Sequence, residues 1–368
     1  MQVTISEQCN LSCIYCYETD KRNDVMSLAT FKAIVDKTFA DKRTDVVEFD
    51  FHGGEVGLVF NQLRCFCEWL WSRKRPKPYR CFATTNGTLI HGKVKEWFER
   101  NASRFCLGLS LDGTKEMHDV NRSESYDLIE IPFFRKTWPR QGCKMTVSPL
   151  TLPHLYDGIV HLYNLGFDVS VNLAYGVGWD DSLMHIYEAE LGKLVQFFLA
   201  HSECKVPNLL SFPVGRLGHI ILTGSDPEPR WCGSGRTMVC YAPNGDSFPC
   251  QMFMSSCGCD SEKSKQCEAL LKSSLHLVDD KCKECFLRGT CPTCYGQNLI
   301  HSGRPDCRST DMCKFRKAEA MATAKLLSLK LCRSEKGAIA SKSERQRLAA
   351  GILAINRGFK SEKDISNG

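Results

Sequence analysis

Cys9-Asn10-Leu11-Ser12-Cys13-Ile14-Tyr15-Cys16 follows the apolar run Val3–Ile5 and sets its cysteines at C-x3-C-x2-C spacing. Thiolates so spaced in a compact loop can each take one iron of a cubane [4Fe–4S] cluster. Only three are local, so one iron stays open to a chelating ligand such as the amino and carboxylate groups of an amino acid. The competing reading is zinc, but a structural zinc site takes four ligands, commonly from paired C-x2-C units.

Working outward, cysteine is the anomaly of the chain, with 22 in 368 residues. The start, MQVTISEQCN, has neither the basic flank nor the apolar core of a signal peptide. A cytoplasmic location is therefore expected, where thiols are held reduced and a disulfide framework is a poor account. The cysteines also group, with three between residues 9 and 16 and twelve from Cys232 to Cys313, which points to two metal regions. No apolar run is long enough to cross a membrane. Net charge is +6 and spread out, and the most basic stretch, Arg333 to Lys363, reads as a solvated helical face. Neither a nucleic acid nor a membrane is expected as partner.

The first two hundred residues alternate β-rich runs with helical patterns. Strands are expected at Val3–Ile5, Val46–Phe51, Arg80–Thr84, Phe105–Leu111, Met145–Ser148 and Val169–Leu173. Helices are expected at Ser27–Phe39, Asn61–Trp71, Gly92–Glu99, Tyr126–Trp138, Pro153–Leu165 and Leu183–Leu199, with Ser27 as a cap. The fold class is thus α/β, a partial (β/α)6 TIM-like barrel over residues 1–206. Residues 207–230 read as a linker, 231–318 as a small irregular Cys-rich iron–sulfur domain, and 319–368 as a C-terminal helix with a disordered tail from Phe359. The polar segments fall after strands: the triplet, His52-Gly53-Gly54-Glu55, Thr85-Asn86-Gly87-Thr88 and Asp112-Gly113. In β/α barrels such loops converge on one face and build the active site.

The triplet, with Tyr15 directly before its third cysteine, resembles the signature of the radical S-adenosylmethionine (SAM) superfamily. Gly53-Gly54-Glu55 resembles that family's GGEP segment, with Val56 where proline is usual. Ser110-Leu111-Asp112-Gly113, followed by His118 and Arg122, resembles a segment of the SPASM-containing branch, and Thr85-Asn86-Gly87 is a weaker match. The resemblance implies that Gly53, Gly54 and Glu55 bind the amino group of SAM, Ser110 its ribose, Arg122 its carboxylate, and that Tyr15 meets the adenine. An arginine suits a carboxylate, which its fork binds bidentately.

The second array reads Cys232-x12-Gly245-x4-Cys250, then Cys282-x2-Cys285-x5-Cys291-x2-Cys294, then Cys307 and Cys313. It resembles the SPASM domain, with two residues rather than the usual three between Cys291 and Cys294. Taken alone, paired zinc sites would explain it as well. The resemblance implies two auxiliary [4Fe–4S] clusters, three clusters in all. One would take Cys232, Cys250 and Cys294, with Cys240 either a fourth ligand or a small buried hydrophobe. The other would take Cys282, Cys285, Cys291 and Cys313, the last preferred to Cys307 because it leads into a helix at Lys314–Leu331. Cys257, Cys259 and Cys267 have no assigned role.

Function follows as what the resemblance implies. SAM cleavage would yield a 5′-deoxyadenosyl radical that removes a hydrogen atom from a ribosomally made peptide. Auxiliary clusters suit removal of the second electron, so a carbon–carbon or thioether crosslink ranks first, ahead of epimerisation. In anaerobic sulfatase-maturing enzymes a basic Asp follows the cysteine matching Cys250; here it is Gln251, which counts against that activity. A non-catalytic metal scaffold is the reading from another class. Expected partners are the precursor peptide, an electron donor such as flavodoxin or ferredoxin, and a separate leader-recognition protein.

Overall fold

The computed structural model describes residues 1–227, 230–273, 277–333 and 341–366. Strand and helix alternate as β1 (Gln2–Ser6), α1 (Leu28–Ala40), β2 (Val47–Gly53), α2 (Phe60–Trp71), β3 (Tyr79–Thr85), α3 (Gly92–Arg100) and β4 (Phe105–Ser110). Then come α4 (Lys115–Asn121), α5 (Ile131–Thr137), β5 (Cys143–Val147), α6 (Leu155–Asn164), β6 (Val169–Leu173) and α7 (Leu183–Ala200). β1 to β6 lie in sequence order and every neighbouring pair is parallel, so each helix is a crossover over one face. β6 and β1 do not pair, which leaves the expected partial barrel open at β6. Asn208 covers that edge: its amide accepts from Val171 N–H at 2.6 Å and donates to Val171 O at 2.5 Å, as a neighbouring strand would.

Aromatic packing joins the helices to the sheet. Phe31 of α1 stacks on Phe66 of α2 at 4.2 Å, and both lie against the β2 side, with Phe31 5.9 Å from Phe51. Burying each such ring contributes about 1.5–3 kcal/mol. Ser27 caps α1, its hydroxyl accepting from Thr30 N–H at 3.0 Å, as its position predicts.

The remainder of the chain departs further from expectation. Residues 207–230, read as a linker, hold α8 (Val214–Thr223), which starts directly after Pro213. Two glycines in α8 blur its apolar period, and its apolar face finds a partner only at the far end of the chain. β7 (Cys240–Tyr241) then pairs parallel with β1, and β8 (Ser247–Phe248) antiparallel with β7, so the Cys-rich region extends the core sheet. Its other elements are the short helices α9 (Ser261–Ser273), α10 (Asp280–Lys283) and α11 (Tyr295–Ser302). They enclose a small core around Phe253, Leu271, Tyr295 and Leu299.

α12 (Cys313–Arg333) and α13 (Lys342–Ser366) end the described chain. The expected disorder from Phe359 is corrected: α13 continues through Ser366, and the Phe359 ring meets Phe286 at 5.3 Å; only 367–368 of that tail lie outside the described residues. α13 packs on α8 at backbone contact. A Cβ at Gly218 would lie 1.7 Å from Arg347 O, and one at Gly351 2.2 Å from Val214 O. Among the described residues no helix is long and apolar enough to cross a membrane.

Candidate functional site

The triplet leaves β1 at its C-terminal end, and the loops after β2, β3 and β4 close around it. Gly53 and Gly54 let β2 approach: a Cβ on either would lie 1.9 Å from Ser6 O or 2.2 Å from Gln8 O. Gly54 N–H donates to Ser6 O at 3.1 Å and Glu55 N–H to Gln8 O at 2.8 Å, so this turn clamps the entry to the triplet. Asn10, inside the triplet, donates to Thr88 Oγ1 at 2.8 Å and accepts from Asn86 Nδ2 at 3.0 Å. The three thiols are partly buried and near enough to influence one another; burial raises the pKa of Cys9 and Cys13, and their neighbours in the triplet add to the rise. Lys21 lies beside Cys16 and Cys9.

Glu55 is 2% exposed, and its carboxylate accepts from Thr85 Oγ1 at 2.6 Å, Asn86 N–H at 2.7 Å and Gly57 N–H at 2.8 Å. Burial raises its pKa, and these donors work against the rise. A carboxylate has about four acceptor positions, so one direction remains for a cation.

Asp112, fully buried after β4, is the hub that sequence reasoning missed. Its Oδ2 accepts from the Tyr15 hydroxyl and from Asn121 Nδ2 at 3.2 Å, while Oδ1 accepts from Thr146 N–H at 2.8 Å. Arg122 Nε lies 2.9 Å from Oδ2 but off the line of a hydrogen bond, so that pairing is ionic. The Arg122 guanidinium sits over the Tyr15 ring at 5.5 Å, and its terminal nitrogens have no hydrogen-bond partner among the described residues. Tyr15 therefore faces the site with its hydroxyl committed to Asp112. Thr114 caps α4, the helix that carries His118, Asn121 and the start of the Arg122 turn. His118 accepts Asp112 N–H at Nδ1 and donates from Nε2 to Ser125 Oγ, and burial pushes its pKa down to about 4, so it is neutral. Ser110 ends β4, and its hydroxyl has no partner among the described residues.

The second array falls into two groups. Cys250 neighbours Cys294 and Cys232; burial raises the pKa of Cys294, and the backbone N–H groups of Gln297 and Gly296 at the start of α11 work against that rise. Cys240 is 0% exposed, 3.5 Å from Thr4 Oγ1 and 3.6 Å from Met254 Sδ, with Cys250 nearby. Gln251 donates its backbone N–H to Gln2 Oε1 at 3.2 Å, and its own Oε1 is buried without a partner among the described residues. Cys282, Cys285, Cys291 and Cys313 line one cavity of about 760 Å³, roofed by the Ala174–Trp179 loop after β6; Cys307 is not among its walls. Among the described residues, no three His, Cys, Asp or Glu side chains converge on a position for a single metal ion. A cubane holds its thiolates at separate corners and does not require that convergence.

No family model matches the chain. Over 130 residues it is 33% identical to a cysteine-type anaerobic sulfatase-maturating enzyme of Clostridium novyi, covering 33% of this chain and 34% of that protein. It is 32% identical over 124 residues to the serine-type enzyme of Bacteroides thetaiotaomicron, covering 31% and 29%. The chain thus matches about a third of the length of these curated relatives. In structure it is similar to anSMEcpe with bound AdoMet, at TM-score 0.69 and 18% identity over 90% of this chain and 99% of that one. It is also similar to SuiB of Streptococcus suis bound to S-adenosylmethionine, at TM-score 0.55 and 18% identity over 84% and 76%. Fold and triplet are similar to those of radical SAM proteins. These neighbours and relatives are maturases, and the chain is similar to them in fold and, over about a third of its length, in sequence.

Proposed function

We propose that the chain is a cytoplasmic radical SAM maturase that oxidises a ribosomally made peptide, with a carbon–carbon or thioether crosslink as product. The observation that carries this reading is the donor set at the ends of β1 to β4. Three neighbouring thiols adjoin a buried carboxylate with one acceptor direction left, a guanidinium with open terminal nitrogens and a free hydroxyl. That set fits a cluster and the ammonium, carboxylate and ribose of SAM, and a metal scaffold would have no use for it. When bound, a reduced cluster and SAM supply a 5′-deoxyadenosyl radical able to take a hydrogen atom.

The chain's own residues then bind and orient. Cys9, Cys13 and Cys16 would hold the cluster, Gly53, Gly54 and Glu55 would receive the ammonium, Arg122 the carboxylate and Ser110 the ribose. Asp112 fixes Arg122 and Tyr15 so that both meet the ligand in one orientation. The auxiliary sets would be Cys232, Cys250 and Cys294, with Cys240 adjoining, and Cys282, Cys285, Cys291 and Cys313. A peptide substrate is supported by the neighbours, since anSMEcpe is known with Cp18Cys peptide and SuiB with its precursor peptide SuiA. Flavodoxin or ferredoxin would supply the electron, and a separate protein would recognise a leader.

Sulfatase maturation is the second reading, favoured by the curated relatives. Against it stands Gln251, an amide that cannot take a proton as a carboxylate does.

Anaerobic protein given SAM and dithionite is expected to release 5′-deoxyadenosine, and Cys13→Ala to reduce that release by about 10³-fold or more, some 4 kcal/mol of barrier. Co-expressed peptide is expected to lose two hydrogens and stay inert to a hydrazide probe. An aldehyde instead would favour sulfatase maturation, and no 5′-deoxyadenosine from the intact protein would end the enzymatic reading.

A further inference from the structure

Arg308 follows Cys307 in the turn before α12, and it lines the same cavity as Cys282, Cys285, Cys291 and Cys313. Its backbone is pinned on both sides: its N–H donates to Asp279 Oδ2 at 2.9 Å, and its carbonyl accepts from Lys281 Nζ at 2.5 Å. The residue is 8% exposed. Among the described residues its guanidinium makes one hydrogen bond, from Nη2 to Cys291 O at 2.8 Å, while Nε is buried with no partner. No carboxylate pairs with it among the described residues.

A buried guanidinium without a counter-ion is costly, and an orphaned buried N–H adds to that cost. The groups that face it are thiols. Cys282, Cys285, Cys291 and Cys313 line the cavity with it, and its Nη2 already reaches the Cys291 carbonyl. The missing partner is therefore negative charge at those sulfurs, and thiolates on an iron–sulfur cube carry it.

We propose that Arg308 is a positioning and charge-tuning residue for the auxiliary cluster of Cys282, Cys285, Cys291 and Cys313, its Nε–H donating to a cluster sulfur and its charge raising the reduction potential. The inference rests on the cluster reading above. In the oxidation proposed there, the substrate loses one hydrogen atom to the radical and then one proton, to solvent or a base, and one electron. A cluster held there would supply the acceptor for that electron, and the buried guanidinium would stabilise the negative charge it adds. An external acceptor of the flavodoxin or ferredoxin class would take the electron on.

The test uses the full chain with Cys9→Ala, Cys13→Ala and Cys16→Ala, which keeps the auxiliary sites alone, followed by redox titration of the paramagnetic signals. Arg308→Gln is expected to keep its iron and sulfide while one midpoint falls by at least a tenfold change in the reduction equilibrium, about 59 mV for one electron. Arg308→Lys, which keeps the charge but not the fork, should fall less. Midpoints within a twofold change of the parent in both variants, iron retained, would overturn the assignment. If Arg308→Gln sheds its iron, Arg308→Lys decides by the same criterion: a midpoint below the parent's supports the role, and an equal one overturns it. A parent without auxiliary iron overturns the cluster reading itself, which iron and sulfide counts reveal before any titration.

Discussion

The two cysteine regions are built differently. Around the triplet, every loop is tied to another strand: Glu55 to Thr85 and Asn86, Asn10 to Asn86 and Thr88, Asp112 to Tyr15, Asn121 and Thr146. Around Cys282, Cys285, Cys291 and Cys313 there is an open cavity of about 760 Å³, with ties from Arg308, from Asn298 to Pro305 O at 2.8 Å and from Arg316 to the Tyr175 hydroxyl at 3.3 Å set around it. A pocket whose ligand leaves each turnover must keep its shape when empty. A pocket for a resident cluster can take its rigidity from the metal.

That contrast can be broken in three places. The largest effect is expected at the hub. Asp112→Asn leaves Arg122 buried without its counter-charge and should cost about 3–5 kcal/mol in urea unfolding; a loss under 1 kcal/mol would mean the first site is not held as described. Next is acid. Unfolded histidine takes a proton below about 6.5, whereas buried His118 resists until about 4. The unfolded state then binds more protons between those values, so stability falls as pH drops, by about 3 kcal/mol in all. His118→Gln should flatten that slope, and an unchanged slope would place the titration elsewhere. The smallest effect is local. Chelating the iron should speed amide exchange in 277–313 at least tenfold, about 1.4 kcal/mol, and leave β1 to β4 protected; equal loosening of both regions would erase the distinction.

Much of the core was legible because single elements carry it. Val169, Val171 and Leu173 alternate with Ser170 and Asn172, and β6 lies where that alternation places it. α4 escaped notice because seven residues give less than two turns of period, and the helix read at Tyr126–Trp138 is a single 3₁₀ turn, Tyr126–Leu128, followed by α5. α8 was hidden for another reason, since Gly215 and Gly218 weaken a helical pattern that only α13, over a hundred residues later, explains. At the site, the motif residues were readable one by one. Asp112 was quoted within its motif yet had no visible role, because its partners come from the triplet, from α4 and from β5. Arg308 gave no signal at all: its meaning depends on which thiols surround it.

β7 has one more consequence. Gln2 and Val3 stand opposite Cys240 and Tyr241, and farther on Thr19 and Asp20 donate to Ser256 O. The strand that launches the triplet is thus laddered to the segment between Cys232 and Cys250. Swinging the two regions apart would mean tearing a parallel pairing out of a continuous sheet. Were both cysteine regions to hold the proposed clusters, this ladder would act as a spacer of constant length, and the separation between them would be a property of the backbone rather than of any docking event.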